Sequence, residues 1–131
     1  MKTQIRAFAL VGFLTLAGPA FSHHSQAMYD DVKTVALKGV VTKYSWVNPH
    51  VWIFVDVKNA AGQTENWGIE ANSASSMSRL GWVRSQFKAG DPVSFTVFPR
   101  RDGKPEGLLS KISGPDGKEL TLPRNPLQKP R

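Results

Sequence analysis

The chain has three histidines, His23, His24 and His50, and no cysteine. Thiolate metal sites, disulfides and cysteine nucleophiles are therefore excluded, and any imidazole chemistry belongs to these three residues. His23 and His24 follow a segment with the features of a secretory signal: Lys2 and Arg6, an uncharged run from Ala7 to Gly18, then the break Gly18-Pro19-Ala20. The run is shorter than the about 20 residues that cross a bilayer core, so it reads as a cleavable leader. Small-x-small spacing permits cleavage after Ala20 or after Ser22. The second cut makes His23 the new N-terminus. Its free amine (pKa near about 8) and imidazole (about 6.5) can both lose protons near neutral pH. Amine nitrogen and Nδ1 then chelate one metal, and a second imidazole completes a three-nitrogen histidine brace. Such a donor set suits Cu(II), which heads the divalent affinity order and prefers tetragonal nitrogen sites.

His50 is the candidate second imidazole. It sits in the turn Val47-Asn48-Pro49-His50, between Trp46 and Trp52. His24 competes, because amine, intervening amide and its own Nδ1 chelate Cu(II) without any fold. Met28 can add a soft axial or Cu(I) ligand if the arm folds back. Cleavage after Ala20 removes the brace. The plainer alternative stays open: an exposed double-histidine arm, and a His50 that merely hydrogen-bonds in its turn.

Other chemistry is thinner. Tyr44, Trp46, Trp52, Phe54 and Trp67 form either an aromatic stacking platform or the filling of a small core. Arg100, Arg101 and Lys104 cluster at one turn, which suits an anionic ligand or an ordinary solvated loop. Among these, Trp46, Trp52, Arg100 and Arg101 are the candidate ligand-binding residues. Ser, His and acid are nowhere arranged as a hydrolytic triad. Glu65 and Glu70 lie at an odd spacing, hence on opposite faces of one strand. Neither a phosphate-binding glycine loop nor a dinucleotide fingerprint is present. The chain is expected not to be an enzyme.

Alternating patterns describe the elements that must position these residues. Thr34 to Trp46 reads as one long strand. Val51, Ile53, Val55 and Val57 then face one way, and His50, Trp52, Phe54 and Asp56 the other. Gln63 to Ala71 gives a third strand. Asn72 or Ser73 caps a short helix carrying Ala74, Met77 and Leu80, with Gly81 as its stop. Val93 to Val97 is a fourth strand and Leu108 to Ser113 a fifth. The turn Pro115-Asp116-Gly117-Lys118 returns into Glu119–Leu122. Three strands, a short helix and two strands is the element order of an OB-fold, an all-β, partly open five-stranded barrel. The expected organisation is a signal peptide (1–22), an N-terminal arm (23–33), an OB-fold-like domain (34–122) and a basic, Pro-rich, disordered tail (123–131).

The segments His23-His24-Ser25, Lys38 to Thr42, Trp46-Val47-Asn48-Pro49-His50-Val51-Trp52, Leu80-Gly81-Trp82 and Lys88 to Asp91 resemble those of a bacterial family of small exported proteins of unknown function. The resemblance covers nearly all of residues 23–122. It implies export, an OB-like domain, cleavage before His23 and no activity to inherit.

The chain of 131 residues carries a net charge of +7, which falls to +5 when Lys2 and Arg6 leave with the leader. These observations point to a periplasmic or secreted protein that binds copper as a carrier or accessory. The alternative is a non-metal module holding a cell-envelope ligand or a partner protein. Export speaks against nucleic acid as a partner. No apolar stretch of the mature chain is long enough to span a membrane.

Overall fold

The structure, a computed structural model, describes residues 26–123. Residues 1–25, which include the expected signal peptide, His23 and His24, and residues 124–131, most of the expected tail, lie outside the described residues. Seven elements follow one another: β1 (Val35–Ser45), β2 (Trp52–Lys58), β3 (Thr64–Glu70), α1 (Ala74–Arg79), β4 (Pro92–Pro99), β5 (Glu106–Ser113) and β6 (Glu119–Thr121). A single 3₁₀ turn, Gln26–Met28, precedes them.

β1 is long because it serves two neighbours. Its first half pairs antiparallel with β4, from Val35↔Val97 to Val40↔Pro92. Its second half pairs antiparallel with β2, from Gly39↔Val57 to Ser45↔Trp52. Gly39 belongs to both ladders. A Cβ there would collide with the Asp56 carbonyl, so the close approach requires glycine. The register shifts between Val41 and Lys43, and this bulge helps the strand bend round.

Closure comes from β3 and β5. They pair in parallel, Gly68↔Glu106, Ile69↔Gly107 and Glu70↔Leu108. The cycle β1–β2–β3–β5–β4 is thereby complete, with α1 inserted between β3 and β4. That is the OB-fold topology. β6 adds a sixth strand outside the cycle, antiparallel to β5, and is the return of the expected Pro115–Lys118 turn.

Strand alternation delivers the interior. Val41, Ile53, Val55, Val57, Ile69, Phe95, Val97, Leu109 and Ile112 are buried and share one core. Removing each such side chain from water contributes roughly 1.5–3 kcal/mol. α1 and the segment after it add Met77, Trp82 and Phe87 to the same core. Ser73 is the N-cap: its Oγ accepts from Ser76 N at 3.2 Å. At the other end Gly81 takes φ 85°. Trp82 N then donates to Met77 O, and Gly81 N to Ser78 O, each at 3.0 Å. This closing motif turns the chain so that Trp82 enters the core.

Candidate functional site

The loop between β1 and β2 carries His50. Its backbone is tied down on both sides. Asn48 Oδ1 accepts from Ala74 N at 3.1 Å, which pins the loop to the first turn of α1. Val51 N donates to Asn72 O (2.9 Å) and Ala71 N to Val51 O (2.8 Å), extending the β2–β3 ladder past its named ends. The Asn48–Pro49 peptide is cis. Because Val51 is wholly buried, His50 faces outward, on the same side as Trp52 and Phe54.

His50 is held by a carboxylate that sequence reading passed over. Its Nδ1 lies 2.5 Å from Glu70 Oε1. Glu70 is 2% exposed and is the one buried charged residue among those described. The carboxylate engages Nδ1 and leaves Nε2 as the nitrogen that could meet a ligand. The imidazole keeps 34% of its surface accessible, so Nε2 can be approached.

The same carboxylate anchors the N-terminal arm. Tyr29 Oη donates to Glu70 Oε2 at 2.6 Å and lies 2.9 Å from Glu106 Oε1, so one hydroxyl hydrogen serves two acidic side chains. Burial, then the hydrogen bond and charge of Glu70, push the phenol far above its ordinary pKa. Glu106 Oε1 also takes Arg100 Nη1 at 3.2 Å. Arg100 is further clamped by Asp102, at 2.6 and 2.9 Å. That guanidinium lowers the Asp102 carboxyl to about 2. Tyr29 and Arg100 form an isolated antiparallel bridge, extended by Asp30 N to Pro99 O (2.8 Å) and Arg101 N to Met28 O (2.9 Å). Arg101 adds side-chain bonds to Tyr29 O (2.9 Å) and Asp31 (3.1 Å). A polar chain thus runs His50–Glu70–Tyr29–Glu106–Arg100–Asp102 over the outside of the barrel.

The candidate residues named from sequence separate into groups. His50, Trp52, Arg100 and Arg101 come together round Tyr29, Glu70 and Glu106. Both arginines are engaged in holding the arm. Met28 joins the arm bridge through its carbonyl, with its side chain partly exposed. Trp46 goes elsewhere, tilted against Tyr44 (6.0 Å between centroids) and packed on the core, as Trp67 is. The five aromatic residues divide between the two alternatives: Tyr44, Trp46 and Trp67 pack on the core, while Trp52 and Phe54 face outward. His23 and His24 lie outside the described residues. Among the described residues, no three His, Asp or Glu side chains are grouped as a metal site, and no helix is long and apolar enough to cross a membrane.

Glu70 and Glu106 had one legible signal. Each is an acidic residue in or beside an apolar strand pattern, where a charge is retained only with partners. Tyr29 and the two carboxylates are brought together only by the β3–β5 pairing, which no local pattern announces.

Among solved structures, the mitochondrial single-stranded DNA-binding protein Rim1 of S. cerevisiae is similar, at 11% sequence identity and a TM-score of 0.49. The similarity covers 66% of this chain and 96% of that one. No curated protein matches the sequence. A family profile does match, over residues 11–110, a span that begins within the apolar run near the N-terminus and ends in the middle of β5. That span takes in most of the barrel, and the chain belongs to the family of unknown function DUF6152.

Proposed function

We propose that this protein is an exported copper-binding protein, a carrier or accessory, whose metal is held by the amine and Nδ1 of His23 together with Nε2 of His50. The observation that carries the reading is the Glu70–His50 pair. A buried carboxylate that fixes one imidazole nitrogen and points the other outward is the usual support for a metal-ligating histidine.

A second feature supports the same reading. Tyr29 anchors the arm on Glu70 itself, so the arm leaves the fold beside the carboxylate that orients His50. His23 is six residues before Tyr29. An extended chain covers up to about 3.5 Å per residue, so roughly 20 Å is available for the amine to return to His50. His24 remains the competing local chelator, and Met28 supplies a soft thioether within that reach. The leader provides the export that makes His23 terminal, with the mature protein in the periplasm or outside the cell.

The test is a Cu(II) competition titration on exported protein whose intact mass establishes His23 as its first residue. His50→Ala is expected to weaken binding by at least the about 100-fold that disturbing a ligand's support can cost. Tight binding indifferent to His50 would assign the metal to the His23–His24 arm alone. Weak binding in the unaltered protein would remove copper from the reading.

A further inference from the structure

The outward face of β2 carries a second constellation, next to His50 but made of different atoms. Trp52 and Phe54 are two residues apart on one strand, with ring centroids 6.1 Å apart and planes 17° from parallel. That separation is close to the strand's own two-residue step, so the rings continue one another rather than enclose a gap. Both lean over Gly68, the cross-strand partner of Phe54. A Cβ built there would lie 3.5 Å from Trp52 Cζ3 and 3.7 Å from Phe54 Cε1. The missing side chain lets the two rings settle on the sheet as a floor.

The rim is polar and mixed in sign. On one side are Lys43, paired with Phe54, and Ser45, paired with Trp52. Lys43 Nζ stands 5.8 Å from the Phe54 ring centroid. On the other side is Glu106, paired with Gly68 through β5. The bonds to Tyr29 and Arg100 both use its Oε1, so Oε2 is left as an acceptor for a ligand hydroxyl. These five residues line a shallow, open depression of about 280 Å³, below the range of sites for drug-sized ligands. It suits a single ring.

Charge balance selects the ligand. One ammonium and one carboxylate flank the floor, so a phosphate track would meet as much repulsion as attraction. A wholly apolar ligand would strand the polar rim without partners. A pyranose ring satisfies both features: its C–H face rests on aromatic carbon, and its equatorial hydroxyls point sideways to donors and acceptors. We propose that this face binds a neutral saccharide, with one pyranose stacked on Trp52 and Phe54 and its hydroxyls held by Lys43, Ser45 and Glu106. The site uses no copper ligand and stands or falls independently of the metal reading.

The test is a titration of the metal-free, whole protein with N-acetylglucosamine tetramer and with cellotetraose, followed by amide and indole NMR shifts. The expected result is a saturable shift of the Trp52 indole and Gly68 amide with one of the two sugars. Trp52→Ala should weaken it about tenfold or more, the scale of losing one stacking partner. Lys43→Met, at an exposed position, should weaken it too, and keeps the test open if Trp52→Ala fails to fold. No saturable shift with either sugar would overturn the proposal. So would an oligothymidylate that shifts the same two signals at lower concentration, since that would make the face a nucleic-acid site.

Discussion

Replacing Glu70 by glutamine separates the support of His50 from the bulk of the fold. The side chain keeps its shape and loses its charge. Its carbonyl oxygen can still accept from His50 Nδ1. Its amide can then donate to Tyr29 Oη, and the phenol hydrogen turns wholly to Glu106 Oε1, already 2.9 Å away. Every buried polar atom stays partnered, so the barrel should fold. What is lost is charge assistance in two bonds, those now 2.5 and 2.6 Å long. Hydrogen bonds to charged groups contribute about 1 kcal/mol more than neutral ones, which gives a loss of up to about 2 kcal/mol. Easier burial of a neutral side chain offsets part of it. At about 4–8 °C per kcal/mol for a domain of this size, the melting temperature should fall by roughly 10 °C or less. Copper affinity should fall further in proportion, by about 10–100-fold, because the imidazole loses the charged acceptor that fixes its ring. Calorimetric melting and Cu(II) competition on the same preparation measure both quantities. A variant that melts lower yet binds copper as tightly as the parent would refute the assignment of Glu70 as the support of a ligand.

Tyr29→Phe should leave two carboxylates, Glu70 and Glu106, without their shared donor, costing about 2–4 kcal/mol and freeing the arm to proteolysis near Met28; a melting temperature equal to the parent's would count against the anchor. Both tyrosines, Tyr29 and Tyr44, have pKa values raised chiefly by burial, so the protonated phenols add stability that is complete below about pH 10 and is lost as pH rises beyond it. Tyrosinate absorbance at 295 nm should therefore appear only with alkaline unfolding, and a phenol titrating reversibly near 10 in the native state would contradict the burial. Asp102 works in the opposite direction: depressed to about 2 by Arg100, it adds stability present above the ordinary carboxylate range and lost as pH falls toward 2. Asp102→Asn should accordingly flatten that part of an acid-unfolding curve. Gly39→Ala drives a methyl group into the Asp56 carbonyl and should destabilise by about 1–3 kcal/mol or more in a chemical-denaturation series.

Much of the barrel was legible because its signals are local. The strand alternation of Val51 to Val57, the Ser73 cap and the Gly81 stop are each set by neighbours a few residues away. The long first strand was legible as length, and its division between two partners follows from Gly39. The site was legible in part. His50 stood out because imidazoles are scarce, and its outward side followed from the alternation. Glu70 did not stand out, since its partners come from a preceding loop and from an arm 41 residues earlier. Arg100 and Arg101 looked like a free basic turn; their actual acceptors, Asp102, Glu106, Asp31 and the Tyr29 carbonyl, are local in one case and remote in others. Trp46 and Trp52 look alike in sequence. Alternation along the second strand set Trp52 opposite the valine face, whereas the inward packing of Trp46 is decided only by the barrel's closure.

The span of the Tyr29 contacts has a kinetic meaning. Its hydroxyl reaches across 41 residues to Glu70 and across 77 to Glu106. Contacts of such separation form late, after the intervening loops have closed. Until β3 meets β5, the chain has no Glu70–Glu106 pair for the arm to grasp and no fixed orientation for His50. On the copper reading proposed above, an unfinished molecule would lack the oriented imidazole that the completed site needs. The outer polar chain therefore works as a completion check, leaving His50 unoriented until the last strands are in place.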